Sequence, residues 1–365
     1  VQAVRRIDKR ISEIAREMKF YSLLTPLNRE EEMKKFFESA ERGKNYDPVF
    51  SYRERELSGW KKELMDIKKT LNGDDPLQKI FLSKADFMLS QISLLEGGDE
   101  DFAAAAAGLY GMPGEECVKA AKDILDKSRT DNYVFPEETV SPVEMASILN
   151  AELEKDGIDW KCALSGKIIP KITVSGEDST IYISSRINYT PGEVERLKVH
   201  EIKVHIYRGA NGGMQPFRIF AEGLAGYDQT EEGLAIIAEE RTGCLEKDTR
   251  QMKLYAGRAL CDDLCVKGSF SNAFNVLRGF FPDHLAYRLV ERGKRGLVDT
   301  SRKGALTKGH HYISGWLKLR DHIENGGSLK ILYVGKIGLE DAGIAADLLE
   351  KGVIRRPRYL PGFAE

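Results

Sequence analysis

VHEIKVHIYRG, residues 199–209, holds two of the six histidines of the chain, and its winding decides whether the middle of the chain is a metal-binding helical core. Glu201 follows the first histidine as in the zinc-ligand string H-E-x-x-H, but the second histidine arrives one residue late, at position 205. On a regular helix a five-residue step turns about 140° net, so His200 and His205 would point different ways. A π-type turn, with about 4.4 residues, returns the fifth residue to the same face, and such bulges cluster at functional sites. The spacing therefore predicts a π-type insertion here if both imidazoles serve one ion.

A zinc site with open coordination takes three protein ligands, commonly two histidines and a carboxylate. Glu231 and Glu232, 31 and 32 residues after His200, open a predicted helix in TEEGLAIIAEE, with Thr230 as its expected N-cap. Two helices, one giving both histidines and the other a glutamate, match the His₂Glu set of thermolysin-type enzymes. Glu201, beside a ligand but not bound, is placed to move a proton to and from water. The residues alone leave two readings open: a metal site, or two histidines on a partly exposed helix.

The rest of the chain sets the frame. Its 365 residues suffice for two or three domains or for one large enzyme with a decorated core. With 42% hydrophobic and 31% charged residues and a formal net charge of -2, it is an ordinary globular composition without general attraction to nucleic acid or anionic membrane. Five cysteines at irregular spacing argue against a disulfide framework and for a reducing compartment, so the expected location is cytoplasmic. Cys261 and Cys265 would share one helix face, where buried thiols commonly pack. No stretch approaches a membrane span, and VQAVRRIDKR lacks the apolar core of a signal peptide; the absence of methionine at Val1 leaves a removed leader open.

Residues 1–135 read as an N-terminal helical region. In VQAVRRIDKRISEIAREM, the residues Val4, Ile7, Ile11, Ile14 and Met18 recur at three- and four-residue steps, which makes one apolar stripe. Further helices are predicted at about 28–42, 53–71, 76–95, around the alanine run 103–107, and at 115–128. Texture changes after FPEETVSP. IIPKITVSGEDSTIYISSRIN carries two β-branched runs around a Ser-Gly-Glu-Asp turn and predicts a β-hairpin. Helices resume from Pro191, and a strand-like LKILYVG precedes a helix at about 339–351. The expectation is a mainly helical α+β fold, with a second domain at 136–365.

Read in order, H-E-x-x-x-H, R-G-x-N, Q-P and G-L-x-G-Y-D-x-T-E-E-G-L-A over residues 200–235 resemble the zinc tyrosine/phenylalanine carboxypeptidase domain family. Its bacterial members are known by a QEGLA motif, and it is related to the microtubule-associated tyrosine carboxypeptidase. YDPVFSY at 46–52 and GALTKGHHYISG at 304–315 are similar to less specific segments of the same family, so the resemblance extends over most of the chain. It implies a zincin-like (gluzincin) catalytic core and one Zn²⁺ held by His200, His205 and Glu232, with Glu201 as the catalytic acid and base. Glu231 stands where the family permits glutamine, which makes it neither ligand nor base. Two departures stand out. Lys203-Val204 replaces the usual Gly-Thr of the bulged turn, and Gly309 replaces the aspartate usual after the threonine-lysine pair, with His310-His311 following. Those two histidines are expected to be exposed or to face substrate.

The resemblance implies hydrolysis of the C-terminal bond of a peptide or protein, with an aromatic residue released. An exopeptidase must grip the free α-carboxylate, and a guanidinium does so in two-point fashion. Arg208, one turn beyond His205, is the first candidate, followed by Lys308, Tyr312 and Tyr227. The alternatives are another zinc peptidase, acting at the other end or the middle of a chain, and a non-catalytic helical protein with a degenerate metal site.

Overall fold

A computed structural model describes residues 2–54, 56–128, 137–168 and 171–365. The chain divides into two compact units, each discontinuous in sequence: residues 1–131 with 252–314, and residues 132–251 with 315–365. The domain boundary expected at 135/136 lies outside the described residues. Helices dominate, beside one three-stranded sheet, so the mainly helical α+β expectation holds. No helix among the described residues is long and apolar enough to cross a membrane.

The first unit is built of helices, beginning with Gln2–Met18. Its stripe is buried at Val4, Ile11, Ile14 and Met18, as the three- and four-residue periodicity requires. The Pro76–Glu96 helix starts on a proline that needs no N–H partner, and the Asp75 carboxylate before it accepts from the Gln78 amide at 2.8 Å. The alanine run forms part of an Asp99–Tyr110 helix. The segment 252–314 supplies further helices, among them Phe270–Leu277 and Asp283–Lys294.

In the second unit, β1 (Lys161–Ser165), β2 (Ile172–Ser175) and β3 (Thr180–Ser184) form a sheet ordered β1-β3-β2. The predicted hairpin is present as the antiparallel pair β2–β3, with Ile172 opposite Ile183. β1, which the sequence did not announce, pairs with β3 in parallel. Its run KCALS is short and mixed, so no alternation distinguishes it from a loop. Two helices of this unit open on capping boxes, Ser141 with Glu144 and Thr190 with Glu193. The second launches Pro191–Leu197 and, directly after it, the segment that carries the paired histidines.

One expected strand is absent. Within LKILYVG, residues Lys330–Val334 wind as a 3₁₀ helix. Leu332, Tyr333 and Val334 are all buried, and an apolar run of this length carries no periodicity that separates strand from tight helix.

Candidate metal centre

Lys198–Ile206 is a π-helix, continuous with the α-helices Pro191–Leu197 before it and Tyr207–Gly213 after it. This is the winding that the five-residue histidine spacing requires. The His200 and His205 rings lie on one side of it, with centroids 4.8 Å apart. The helix Tyr227–Arg241 packs across this segment and brings Glu232 to the histidines. Ligand atoms of His200, His205 and Glu232 all lie within 4.8 Å of one another, and His200 Nε2 is 3.9 Å from Glu232 Oε2. A tetrahedral ion with bonds of about 2.1 Å would set its ligand atoms about 3.4 Å apart, so the cluster is close to that size.

The chemistry of the donors fits a cation. Glu232 Oε2 is buried with no hydrogen-bond partner among the described residues, a costly state for a carboxylate oxygen unless something positive meets it. Each histidine is held from behind by another carboxylate. His200 Nδ1 lies 2.8 Å from Glu239 Oε1, and His205 Nδ1 lies 2.9 Å from Glu231 Oε1. When these Nδ1–H groups donate to the carboxylates, the lone pairs sit on Nε2, as a metal ligand needs. Among the described residues this is the one such cluster of histidine, cysteine or carboxylate groups.

The two rear carboxylates are themselves anchored. Glu239, without exposed surface, also meets Arg196 Nη1 at 3.2 Å, and Arg196 Nε donates to Asp248 at 3.1 Å. Glu231 ion-pairs with Arg208, and Lys336 Nζ is 3.6 Å away. Burial alone would raise the Glu231 carboxyl, but Arg208 and Lys336 hold it well below the usual carboxylate range. His205 is correspondingly raised: burial opposes its charge, and the Glu231 contact more than offsets it. Glu239, Arg196 and Asp248 were not singled out in the sequence. One signal was available, since Glu239 follows Glu232 by seven residues, two helical turns, and so shares its face.

Arg208 corrects an expectation. It is fully buried: its Nε donates to Leu332 O at 2.9 Å, one Nη donates to Ile337 O at 2.5 Å, and the other meets Glu231. A guanidinium so enclosed has no face left for a substrate carboxylate, and its work is to position Glu231. Thr230 is also reassigned. The helix starts earlier, at Tyr227 behind Gly226, so Thr230 lies inside it, and its hydroxyl accepts from the Leu339 amide at 2.8 Å. Lys203 reaches away to Glu152 of the Pro142–Lys155 helix at 2.7 Å and to Asp156 just past its end, while Val204 is fully buried.

Glu201, next to His200 on the π-helix, is half-buried. Tyr227 is half-buried one turn before Glu231, with Lys336 Nζ 5.8 Å from its ring centre. Gly223 faces this ring so closely that a Cβ there would sit 2.2 Å from Tyr227 Cε1. Gly233, directly after Glu232, has the same reason: an added Cβ would lie 2.2 Å from the Gly315 carbonyl carbon, so two backbones cross at this point. Within the motif-rich stretch, Asn211 fixes the backbone of 358–359 and Gln215 that of Val334 and Arg355, which are structural tasks.

Lys308 and Tyr312 belong to the other unit. There Lys308 Nζ donates to the Tyr21 hydroxyl at 2.7 Å, and Tyr312 stacks on Tyr255 with centroids 4.8 Å apart. The neighbouring His310 and His311 are buried, contrary to the expected exposure. His310 Nδ1 meets Thr307 O at 2.5 Å and His311 Nε2 meets Tyr110 O at 2.9 Å. Cys261 and Cys265 are buried with sulfurs 3.7 Å apart, and Cys261 donates to Leu289 O.

A family model described as microtubule-associated tyrosine carboxypeptidase matches residues 34–365. Similar proteins include the microtubule-associated tyrosine carboxypeptidase 1 of mouse, 24% identical over 336 residues, with 87% of this chain and 60% of the mouse protein covered. The rat protein of the same name is 24% identical over 353 residues, covering 93% of this chain and 64% of its own length. The human one is 26% identical over 208 residues, or 53% of this chain and 42% of the human protein. The chain thus spans less than two thirds of the length of each of these relatives.

Proposed function

Because this chain belongs to the microtubule-associated tyrosine carboxypeptidase family, we propose that it is a zinc-dependent carboxypeptidase that removes a C-terminal aromatic residue, tyrosine or phenylalanine, from a peptide or protein. The observation that carries this reading is the convergence of His200, His205 and Glu232, with a buried Glu232 oxygen that has no hydrogen-bond partner among the described residues. These three residues would hold one Zn²⁺. When bound, the ion supplies Lewis acidity toward the scissile carbonyl and lowers the pKa of water to about 7.

The protein's own groups do the rest. Glu201 takes a proton from the attacking water and returns it to the amine of the departing residue, so that water is added across the C–N bond. Glu239 and Glu231 hold the imidazoles in the tautomer and orientation that bind metal. Tyr227 stays in the proposal as a substrate contact, and the buried Arg208 leaves it. The fold around the site is read as zincin-like: a histidine-bearing helix, a following glutamate-bearing helix packed on it, and a mixed sheet whose β2 meets the first. The relatives' names support tyrosine as the released residue.

The test joins composition to chemistry. Purified protein is expected to hold one zinc per chain, lost in His200→Ala, His205→Ala and Glu232→Ala. It should shorten a peptide library by one residue, with aromatic ends preferred, and leave C-terminally amidated peptides intact. Zinc-loaded protein that cut amidated peptides equally well would point instead to another kind of zinc peptidase, and protein without zinc would remove the enzyme reading.

A further inference from the structure

In the unit formed by residues 1–131 and 252–314, four cationic side chains, Arg258, Arg292, Arg295 and Lys308, line one small cleft. A single carboxylate, Asp262, lines it with them, and that group is already engaged by the His310 amide at 2.7 Å. The formal charge is therefore strongly positive in a confined space. Among the described residues, none of the three arginines forms an ion pair. Arg258 lies over the Tyr312 ring at 4.5 Å, and Arg295 over the Tyr21 ring at 5.6 Å. The Arg295 Nε atom is buried with no hydrogen-bond partner among the described residues.

That arrangement is unfavourable in isolation. All four cations are half-buried, and like charges brought together repel. Burial and the neighbouring Arg292 push the Arg295 guanidinium down to about 10, with three tyrosines and no carboxylate as its main compensation. The segment around Lys308 adds no acid: position 309 is glycine, where an added Cβ would stand 2.8 Å from both Arg258 O and Asp262 Oδ1. The enclosed room is small, about 10 Å³. A single small polar group fits it, and a large ring does not.

We propose that this cleft is an oxyanion-binding site, taking one phosphate or carboxylate group between Arg292, Arg295, Arg258 and Lys308. Guanidinium forks suit a planar or tetrahedral oxyanion, which would supply the acceptors and the negative charge that the cleft lacks. The site is independent of metal chemistry and can be read in metal-free protein.

The experiment titrates inorganic phosphate into the 365-residue chain at fixed ionic strength, with chloride as the matched control, and follows the melting temperature and the heat of binding. Wild type is expected to show a saturable rise above the chloride control. Arg295→Gln and, independently, Arg292→Gln are expected to weaken phosphate binding by about tenfold or more. Arg292 is half-buried without an ion pair, so its variant keeps the test available if Arg295→Gln does not fold. Competition with N-acetylglutamate amide then identifies the source: displacement of phosphate marks a carboxylate carried on a peptide, and no displacement marks a free phosphate group. A phosphate response no larger than that of chloride, or one kept in full by both variants, overturns the proposal.

Discussion

His200 Nδ1 lies 2.8 Å from Oε1 of Glu239, a carboxylate with no exposed surface, two helical turns beyond Glu232 on the same helix. One face of one helix thus carries both Glu232, a proposed metal ligand, and the carboxylate that orients His200, a second proposed ligand. Replacing Glu239 by glutamine keeps the shape but removes the charge behind His200. Zinc affinity, measured by chelator competition, is expected to fall about 10- to 100-fold. An unchanged affinity would show that Glu239 serves only Arg196.

Arg208 and Glu231 form a fully buried ion pair, with Glu231 turned toward His205. Arg208→Leu leaves that carboxylate with Lys336 as its remaining cation, and the loss is expected to be about 3–5 kcal/mol in denaturant unfolding of metal-free protein. Adding Glu231→Gln to this variant should recover much of it. Equal losses in the single and double variants would mean that the cost is lost volume, not stranded charge.

Gly233→Ala would gain about 1 kcal/mol on helix propensity alone. Here the added methyl meets the Gly315 backbone at 2.2 Å, so the sign is expected to reverse, with a net loss of about 3 kcal/mol or more. Gly59 lies in the Ser58–Lys69 helix with open space around it and serves as the control, where alanine should stabilise.

Glu193 closes a capping box with Thr190 and pairs with Lys171. Burial opposes its charge, but Lys171 and the Thr190 amide hold its carboxyl below the usual range. A carboxyl depressed in the folded state stabilises above its unfolded pKa, and the benefit is lost as pH falls through the folded value. Wild type should therefore be more stable than Glu193→Gln at neutral pH, and the gap should shrink once the pH drops below about 4.5. A gap that stays constant down to pH 2 would contradict the assignment.

What the sequence revealed, and what it hid, follow from the range of the interactions involved. The π-winding at 198–206 was legible because a five-residue ligand step admits no regular helix. The amphipathic first helix and the β2–β3 hairpin were legible because local periodicity and turn residues encode them. Strand β1 and the 3₁₀ turn at 330–334 were not, since short runs take their form from distant partners. Arg208 illustrates the same limit at the site. Its place one turn past His205 suggested an outward guanidinium, and only the carbonyls of Leu332 and Ile337, more than 120 residues away, reveal that it points inward.

The proposed reaction rests on proton transfer by Glu201 beside a metal held by His200, His205 and Glu232. It is tested most directly by mass spectrometry of a peptide ending in free tyrosine, incubated with zinc-loaded wild type and with Glu201→Gln at verified equal zinc content. Wild type is expected to remove the single terminal tyrosine, and Glu201→Gln to do so at a rate at least about 100-fold lower. Equal rates from the two proteins would contradict it.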